Sequence, residues 1–265
     1  MTIVPTASLL WSEEFADHQG GRLSEDSWNF DIGDGASAGL VGWGNNEREY
    51  YTKDSVSING NLIIHANRVD ESSGLNCYYG AAEWTSGKIH TARKIGFKHG
   101  RLEITAKMPS GVGTWPALWL LGANLLDGVA WPHCGEIDIL ENTGAHPFQV
   151  QGTIHGDGYF GENGLTKIIQ STEELSKDFH TYAINWTPDS IEWFFDDQCY
   201  NIINRAEVES QGKPWPFNQE FYLILNLAIG GWFAGDVDPL LEKADLTVKS
   251  IKYYSINGIG ELILH

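Results

Sequence analysis

Hydrophobic and polar residues alternate with a period of two along much of the chain, and turn residues interrupt the alternation at short intervals. A period of two marks a strand with one buried face, because successive side chains point to opposite sides. Arg101-Leu-Glu-Ile-Thr-Ala-Lys-Met108 and Gln149-Val-Gln-Gly-Thr-Ile-His155 show it most clearly, and 191–195 and 247–251 continue it. Phe221-Tyr-Leu-Ile-Leu-Asn-Leu227 reads as a strand buried on both faces. Asn59-Gly60 between 56–58 and 62–64 predicts a hairpin. Helical periodicity is nearly absent, with one turn expected over 173–177. No repeat, linker or low-complexity segment divides the chain. With 30 glycines for loops and turns, the pattern predicts an all-β sandwich forming one domain over residues 1–265.

Parity places chemistry on one surface. In Trp115-Pro-Ala-Leu-Trp-Leu-Leu121, Trp115, Ala117 and Trp119 face one way, while Leu118 and Leu120 face the core. Gln151, Thr153 and His155 share a face opposite Val150 and Ile154. The run Cys134-Gly-Glu-Ile-Asp-Ile-Leu-Glu-Asn142 carries three carboxylates, Glu136, Asp138 and Glu141. Glu136 and Asp138 share a strand face, with Ile137 and Ile139 turned inward, but Glu141 falls on the wrong side of a regular strand. One extra residue in a β-bulge, placed at Leu140, returns Glu141 to the acidic face. The expected product is a single concave groove lined by acids, tryptophans and a histidine.

Composition narrows the use of that groove. Hydrophobic residues make up 42% and charged residues 20% of the 265, as in ordinary globular proteins. A net charge of −18 excludes nucleic acid and anionic membranes as partners and suits an uncharged substrate. The apolar stretch 221–228 is too short to span a bilayer. Eleven tryptophans are many for a chain this size, and an indole face matches the C–H face of a pyranose. Trp28, Trp186 and Trp193 are expected in the core. Cys77, Cys134 and Cys199 lack metal-binding spacing and are expected as buried free thiols. Met1-Thr-Ile-Val-Pro-Thr-Ala7 has no basic stretch followed by a long apolar run, so no signal peptide is visible.

Paired carboxylates beside indoles are the equipment of a glycosidase. Four strand steps separate the Cα atoms of Glu136 and Glu141 by about 13 Å. Inward lean on a curved strand shortens the gap between their carboxyl groups towards the ~5–5.5 Å of retaining enzymes. One Glu then attacks the anomeric carbon while the other protonates the leaving oxygen and later activates water. Like-charge repulsion between the acids is expected to keep that proton in place near neutrality. Two other readings of the acidic run are a solvated polar sheet edge and a site for calcium or magnesium.

The motifs resemble those of family 16 glycoside hydrolases of the laminarinase type, which are endo-acting β-1,3-glucanases. The resemblance rests on Trp11-Ser-Glu-Glu-Phe15, Gly42-Trp-Gly-Asn-Asn-Glu47, Trp115-Pro-Ala-Leu-Trp119, Gly135-Glu-Ile-Asp-Ile-Leu-Glu141, Gly152-Thr-Ile-His155 and Ile224-Leu-Asn-Leu-Ala-Ile-Gly-Gly231. It implies a concanavalin-like β-jelly roll of two antiparallel sheets with a concave substrate groove. It also implies Glu136 as nucleophile, Asp138 as its assistant and Glu141 as acid/base. By the same motifs Trp115, Trp119, Trp131 and Trp232 stack sugar rings, Asn46 and His155 bind hydroxyls, and Lys88 contacts sugar. A monomer, secreted and acting on β-glucan, is expected, with no cofactor.

Two positions depart from the pattern. Ser86-Gly-Lys-Ile89 stands where many relatives have Ser-Ala-Arg-Ile, so Lys88 replaces a forked guanidinium by a point charge. In Val248-Lys-Ser-Ile-Lys-Tyr-Tyr254, Lys249 occupies the place of an Asp that helps bind structural calcium, and an ammonium is a poor ligand for that ion. No calcium is therefore expected, with Lys249 paired to Glu13 instead. Mixed-linkage glucan or a galactan as substrate, chain transfer in place of hydrolysis, and a non-catalytic glucan-binding role are the alternatives.

Overall fold

The computed structural model describes residues 6–17 and 21–265. Residues 1–5, on which part of the signal-peptide reading rests, and 18–20 lie outside the described residues. Two large sheets, of ten and nine strands, form a β-jelly-roll sandwich. The nine-stranded sheet runs in the order Leu165–Gln170, Gln149–His155, Glu136–Glu141, Thr114–Gly122, Phe221–Ile229, Ile95–Lys98 and Glu261–Leu264. Lys88–His90 pairs with Phe221–Ile229, and Asn29–Phe30 pairs with Lys88–His90. The ten-stranded sheet is built around Lys243–Ile256, which pairs with Gly100–Lys107, Ala7–Glu14 and Leu62–Arg68.

Alternation positions the layers as expected. Leu118, Leu120, Val150 and Ile154 are buried between the sheets, together with Ile104, Ile184 and Ile251 from the other layer. Every residue of Phe221–Ile229 is buried, and the strand is central in its sheet, paired with Thr114–Gly122 on one side and with Lys88–His90 and Ile95–Lys98 on the other. Trp28, Trp186 and Trp193 are core residues, each at most 2% exposed.

Several details differ from the pattern. Glu49–Tyr51 runs parallel to Trp84–Ser86, an exception to the antiparallel expectation. The helices Arg205–Ser210 and Gly231–Ala234 are too short to leave a 3.6-residue period in the sequence. Around 173–177 the chain makes only a hydrogen-bonded turn, with the Lys177 N–H donating to the Glu174 carbonyl at 2.9 Å. Cys77 and Cys134 are buried, whereas Cys199 is exposed on an outer strand. Among the described residues no helix is long and apolar enough to cross a membrane.

Candidate active site

The acidic strand Glu136–Glu141 lies between Thr114–Gly122 and Gln149–His155. On one side Leu120 pairs with Ile137, Trp119 with Asp138, Leu118 with Leu140 and Ala117 with Glu141, so Ile139 is the inserted residue. On the other side Asp138 pairs with Thr153 and Glu141 with Gln151, leaving Ile139 and Leu140 together opposite Gly152. The bulge is thus present but sits at Ile139 rather than Leu140. Both side chains are buried, and their combined turn towards the core brings Glu141 back to the face of Glu136 and Asp138.

The bulge disrupts the ladder and leaves the Asp138 carbonyl in need of a donor. Trp193 of the opposite sheet supplies it, its indole N–H donating to the Asp138 oxygen at 2.8 Å. Gly152 makes that approach possible. A Cβ there would lie 2.4 Å from Trp193 Cδ1 and 2.6 Å from the Tyr200 hydroxyl oxygen. The Gly152-Thr-Ile-His155 motif therefore serves the acidic strand from below as well as from the side.

Each outer glutamate receives an indole N–H. Trp131 donates to Glu136 Oε2 at 2.8 Å, and Trp115 donates to Glu141 Oε1 at 3.1 Å. Gln151 adds a second donor to Glu141, at Oε2 and 3.3 Å. His155 Nε2 lies 3.2 Å from Asp138 Oδ2 and 3.6 Å from Glu136 Oε1. Glu136, Asp138 and His155 together bring one polar atom each within 4.8 Å of one another.

Burial is the largest influence on all three acids. It pushes Glu141 up to about 8, with the Asp138 charge adding to the rise and the Trp115 and Gln151 donors opposing it. It likewise raises Glu136 and Asp138, the charge of Asp138 contributing at Glu136. Like-charge repulsion, expected from the spacing, is real but second to desolvation. Asp138 Oδ2 is buried without a hydrogen bond among the described residues, facing His155 Nε2. Asp138 is more deeply buried than Glu136, with its side chain 4% exposed against 17%, so its charge is the further removed from water.

The other expected residues fall into two groups. Trp119 and Lys88 stand near the acids: the Lys88 ammonium lies 4.1 Å from the Trp43 ring centre and 5.5 Å from that of Trp119, and 3.4 Å from Asp31 Oδ2. Lys88 is thereby a fixed part of the groove wall. Asn46 and Trp232 belong to neighbouring loops, joined by the Trp232 N–H donating to the Asn45 carbonyl at 2.9 Å. Asn46 is exposed, its side-chain oxygen accepting from the Tyr78 hydroxyl at 2.8 Å, and Trp232 is 77% exposed. Phe233 connects the groups, its ring 5.1 Å from that of Trp115. A cavity of about 210 Å³ opens beside Glu141, lined by His146, Gln149, Gln151, Ile168 and Phe233 among others.

Sequence reasoning missed Gln151 as a partner of Glu141, Phe160 as the edge-on neighbour of Trp131, and Asn226 beneath Trp119. Asn226 had a signal, since it is the one amide in the apolar run 221–229. Gln151 had another, sharing strand parity with Thr153 and His155.

Comparison with known proteins agrees with this geometry. Residues 48–249 match the glycosyl hydrolases family 16. The chain is 37% identical to a beta-glucanase of Rhodothermus marinus over 94% of its own length and 86% of that protein's. It is 38% identical to a glucan endo-1,3-beta-glucosidase of Cryptopygus antarcticus over 86% and 82% of the two lengths. The structure of the catalytic domain of an endo-1,3-beta-glucanase (laminarinase) from Thermotoga petrophila superimposes with a TM-score of 0.89, at 38% identity, covering 95% of this chain and 99% of that one. A match over most of the chain, together with the bulged three-acid strand, establishes that the protein belongs to glycosyl hydrolase family 16.

Proposed function

We propose that the protein cleaves internal β-1,3-glucosidic bonds of laminarin-type glucans by double displacement, with retention at the anomeric carbon. The observation that carries this reading is the unequal setting of two glutamates on one strand face. Glu136 accepts the Trp131 indole N–H and lies beside His155, both of which favour its ionised form against the burial that raises it, and it serves as the nucleophile. Glu141 has neutral donors only and holds its proton near neutrality, as a general acid must.

In the first step the Glu141 proton passes to the glycosidic oxygen while a Glu136 carboxylate oxygen bonds to the anomeric carbon. In the second, Glu141, now ionised, takes a proton from water as the oxygen of that water displaces Glu136. Asp138, next to Glu136 on the same face, is placed to share a proton with it and to hold its rotamer. His155 borders both acids and is placed to meet a sugar hydroxyl. Trp115, Trp119, Trp131 and Trp232 offer ring faces to successive sugars, with Lys88 and Asn46 on the walls. The cavity beside Glu141 receives the departing chain.

The cluster of Glu136, Asp138 and His155 could also hold a cation. We assign it to proton sharing, because Trp131 already donates to Glu136 and tryptophan walls suit a sugar. Nor do the residues fit the structural calcium that the family implies on the other sheet. Lys249 occupies the position of its Asp and is exposed where the partner of Lys243–Ile256 changes from Leu62–Arg68 to Ala7–Glu14. The neighbouring ammonium, Lys252, pairs with Glu14 at 2.8 Å. The protein works as a monomer without cofactor, since one chain supplies the whole groove, and outside the cell, where such polysaccharides are met.

Glu136→Ala tests the reading. Release of reducing ends from laminarin should disappear, and azide should restore turnover of an activated laminari-oligosaccharide by entering from the vacated face. Release of reducing ends by the variant at the rate of the unaltered protein, or an inverted product from the unaltered protein, overturns it. A protein that binds laminarin but never releases reducing ends is a glucan binder.

A further inference from the structure

Two acids, Glu47 and Glu49, are buried near the groove without touching the catalytic strand. Glu49 and Tyr51 share a face of the strand Glu49–Tyr51 and Glu47 lies two residues before it, and Glu47 and Tyr51 belong to a chain of hydrogen bonds that ends on Trp119. The Trp119 N–H donates to Asn226 Oδ1 at 2.8 Å. Asn226 Nδ2 donates to the Tyr51 hydroxyl oxygen at 3.1 Å. The Tyr51 hydroxyl donates to Glu47 Oε2 at 3.1 Å, and Asn45 Nδ2 donates to Glu47 Oε1 at 2.9 Å.

Every bond in this chain has one possible direction. An indole N–H can only donate, so Asn226 must turn its oxygen to Trp119 and its amide hydrogens to Tyr51. The Tyr51 oxygen then accepts, and its own hydrogen must go to Glu47. Burial and the neighbouring acids keep that phenol protonated well beyond its ordinary range. A carboxylate at the far end polarises each donor in turn. Glu49 completes the anchor: burial holds it protonated, and its Oε2 accepts the Ile229 N–H at 2.7 Å, at the end of the strand that carries Asn226.

We propose that Glu47 and Tyr51 are positioning residues that act through Asn226 to hold the Trp119 indole as a sugar platform beside Asp138. Trp119 is the direct cross-strand neighbour of Asp138, so the orientation of its ring is felt at the cleavage point. The proposal rests on the glucanase reading of the groove and adds to it the residues that set one wall.

Tyr51→Phe removes one hydroxyl from this chain and little else. It should lower kcat/KM on laminarin by about tenfold, since that hydroxyl makes two of the hydrogen bonds, with a raised KM and little change in kcat. In a Trp119→Phe background, where no indole N–H remains to be oriented, the same substitution should cost less than about twofold. Glu47→Gln, which keeps an acceptor but loses the charge, should show the same dependence on Trp119 at a smaller size, and serves if Tyr51→Phe does not fold. Assays run well below each variant's Tm separate positioning from loss of fold. Equal losses in both backgrounds, or a lowered Tm with unchanged kcat/KM, overturn the proposal. Absence of laminarin hydrolysis in the unaltered protein would instead overturn the glucanase reading.

Discussion

Replacing Glu141 by Gln removes a carboxyl that the fold holds protonated. In the unfolded chain this group ionises near 4.5, and in the folded protein burial moves it to about 8. Between those values the folded state keeps a proton that the unfolded state has lost. Stability therefore falls as pH rises through this window, and levels off above it. At about 1.4 kcal/mol for each tenfold change in proton affinity, the ceiling is about 5 kcal/mol. Solvent reaches the partly exposed side chain, so we take about 2 kcal/mol as the working value. Gln carries no such proton, so Glu141→Gln should gain relative to the unaltered protein from about pH 5 to about pH 9. For a chain of this length that is a widening of the Tm difference by roughly 4–8 °C, read by calorimetry at the two pH values. The net charge of −18 is reduced by only one, so general repulsion changes almost equally in both. The same proton predicts activity: loss of turnover above about pH 8 should vanish in Glu141→Gln on a substrate with a good leaving group. A Tm difference that stays level or narrows with rising pH would refute an acid held neutral by burial.

Gly152→Ala should lower stability by about 1–3 kcal/mol, the range for overpacking a filled core, because the new methyl meets Trp193 and Tyr200. It should also lower kcat, since Trp193 holds the Asp138 carbonyl; a drop in Tm with kcat intact would confine Gly152 to packing. Added calcium should leave Tm unchanged within about 1 °C of a chelator-treated sample, because bound ligand at 100 times its Kd would contribute about 2.7 kcal/mol. A clear calcium-dependent rise would show that the ion binds despite Lys249.

The strands were legible where one face meets the core and the other does not. Gln149–His155 forms over the predicted residues, because polar and apolar side chains alternate there without interruption. Phe221–Ile229 was legible as a doubly buried strand for the opposite reason, an almost unbroken apolar run. The need for one inserted residue before Glu141 could be read from parity, but its place could not. Ile139 and Leu140 are both apolar and both end up buried, so hydropathy cannot choose between them; the hydrogen-bond register does. The tryptophans stood out by type and number, while their N–H donation to Glu136 and Glu141 depends on approach angle. Nothing in a one-dimensional pattern marks Glu47 and Glu49 as buried. What buries them is a set of donors from Asn45, Tyr51 and Ile229, two of these within four residues and one far along the chain.

The indole donors do not by themselves separate the two roles proposed for Glu136 and Glu141. Glu136 and Glu141 each accept one indole N–H, so that bond lowers the proton affinity of both and separates neither. The difference lies in the next neighbour. Glu141 has the neutral amide of Gln151, which supports the carboxyl in either charge state and lets a proton leave and return within one catalytic cycle. Glu136 has Asp138 and His155 instead, and its proton affinity follows the charge of both, Asp138 raising it and His155 lowering it. The bulge at Ile139 is what separates these settings: it keeps Asp138 beside Glu136 and moves Glu141 one residue further, to the reach of Trp115 and Gln151.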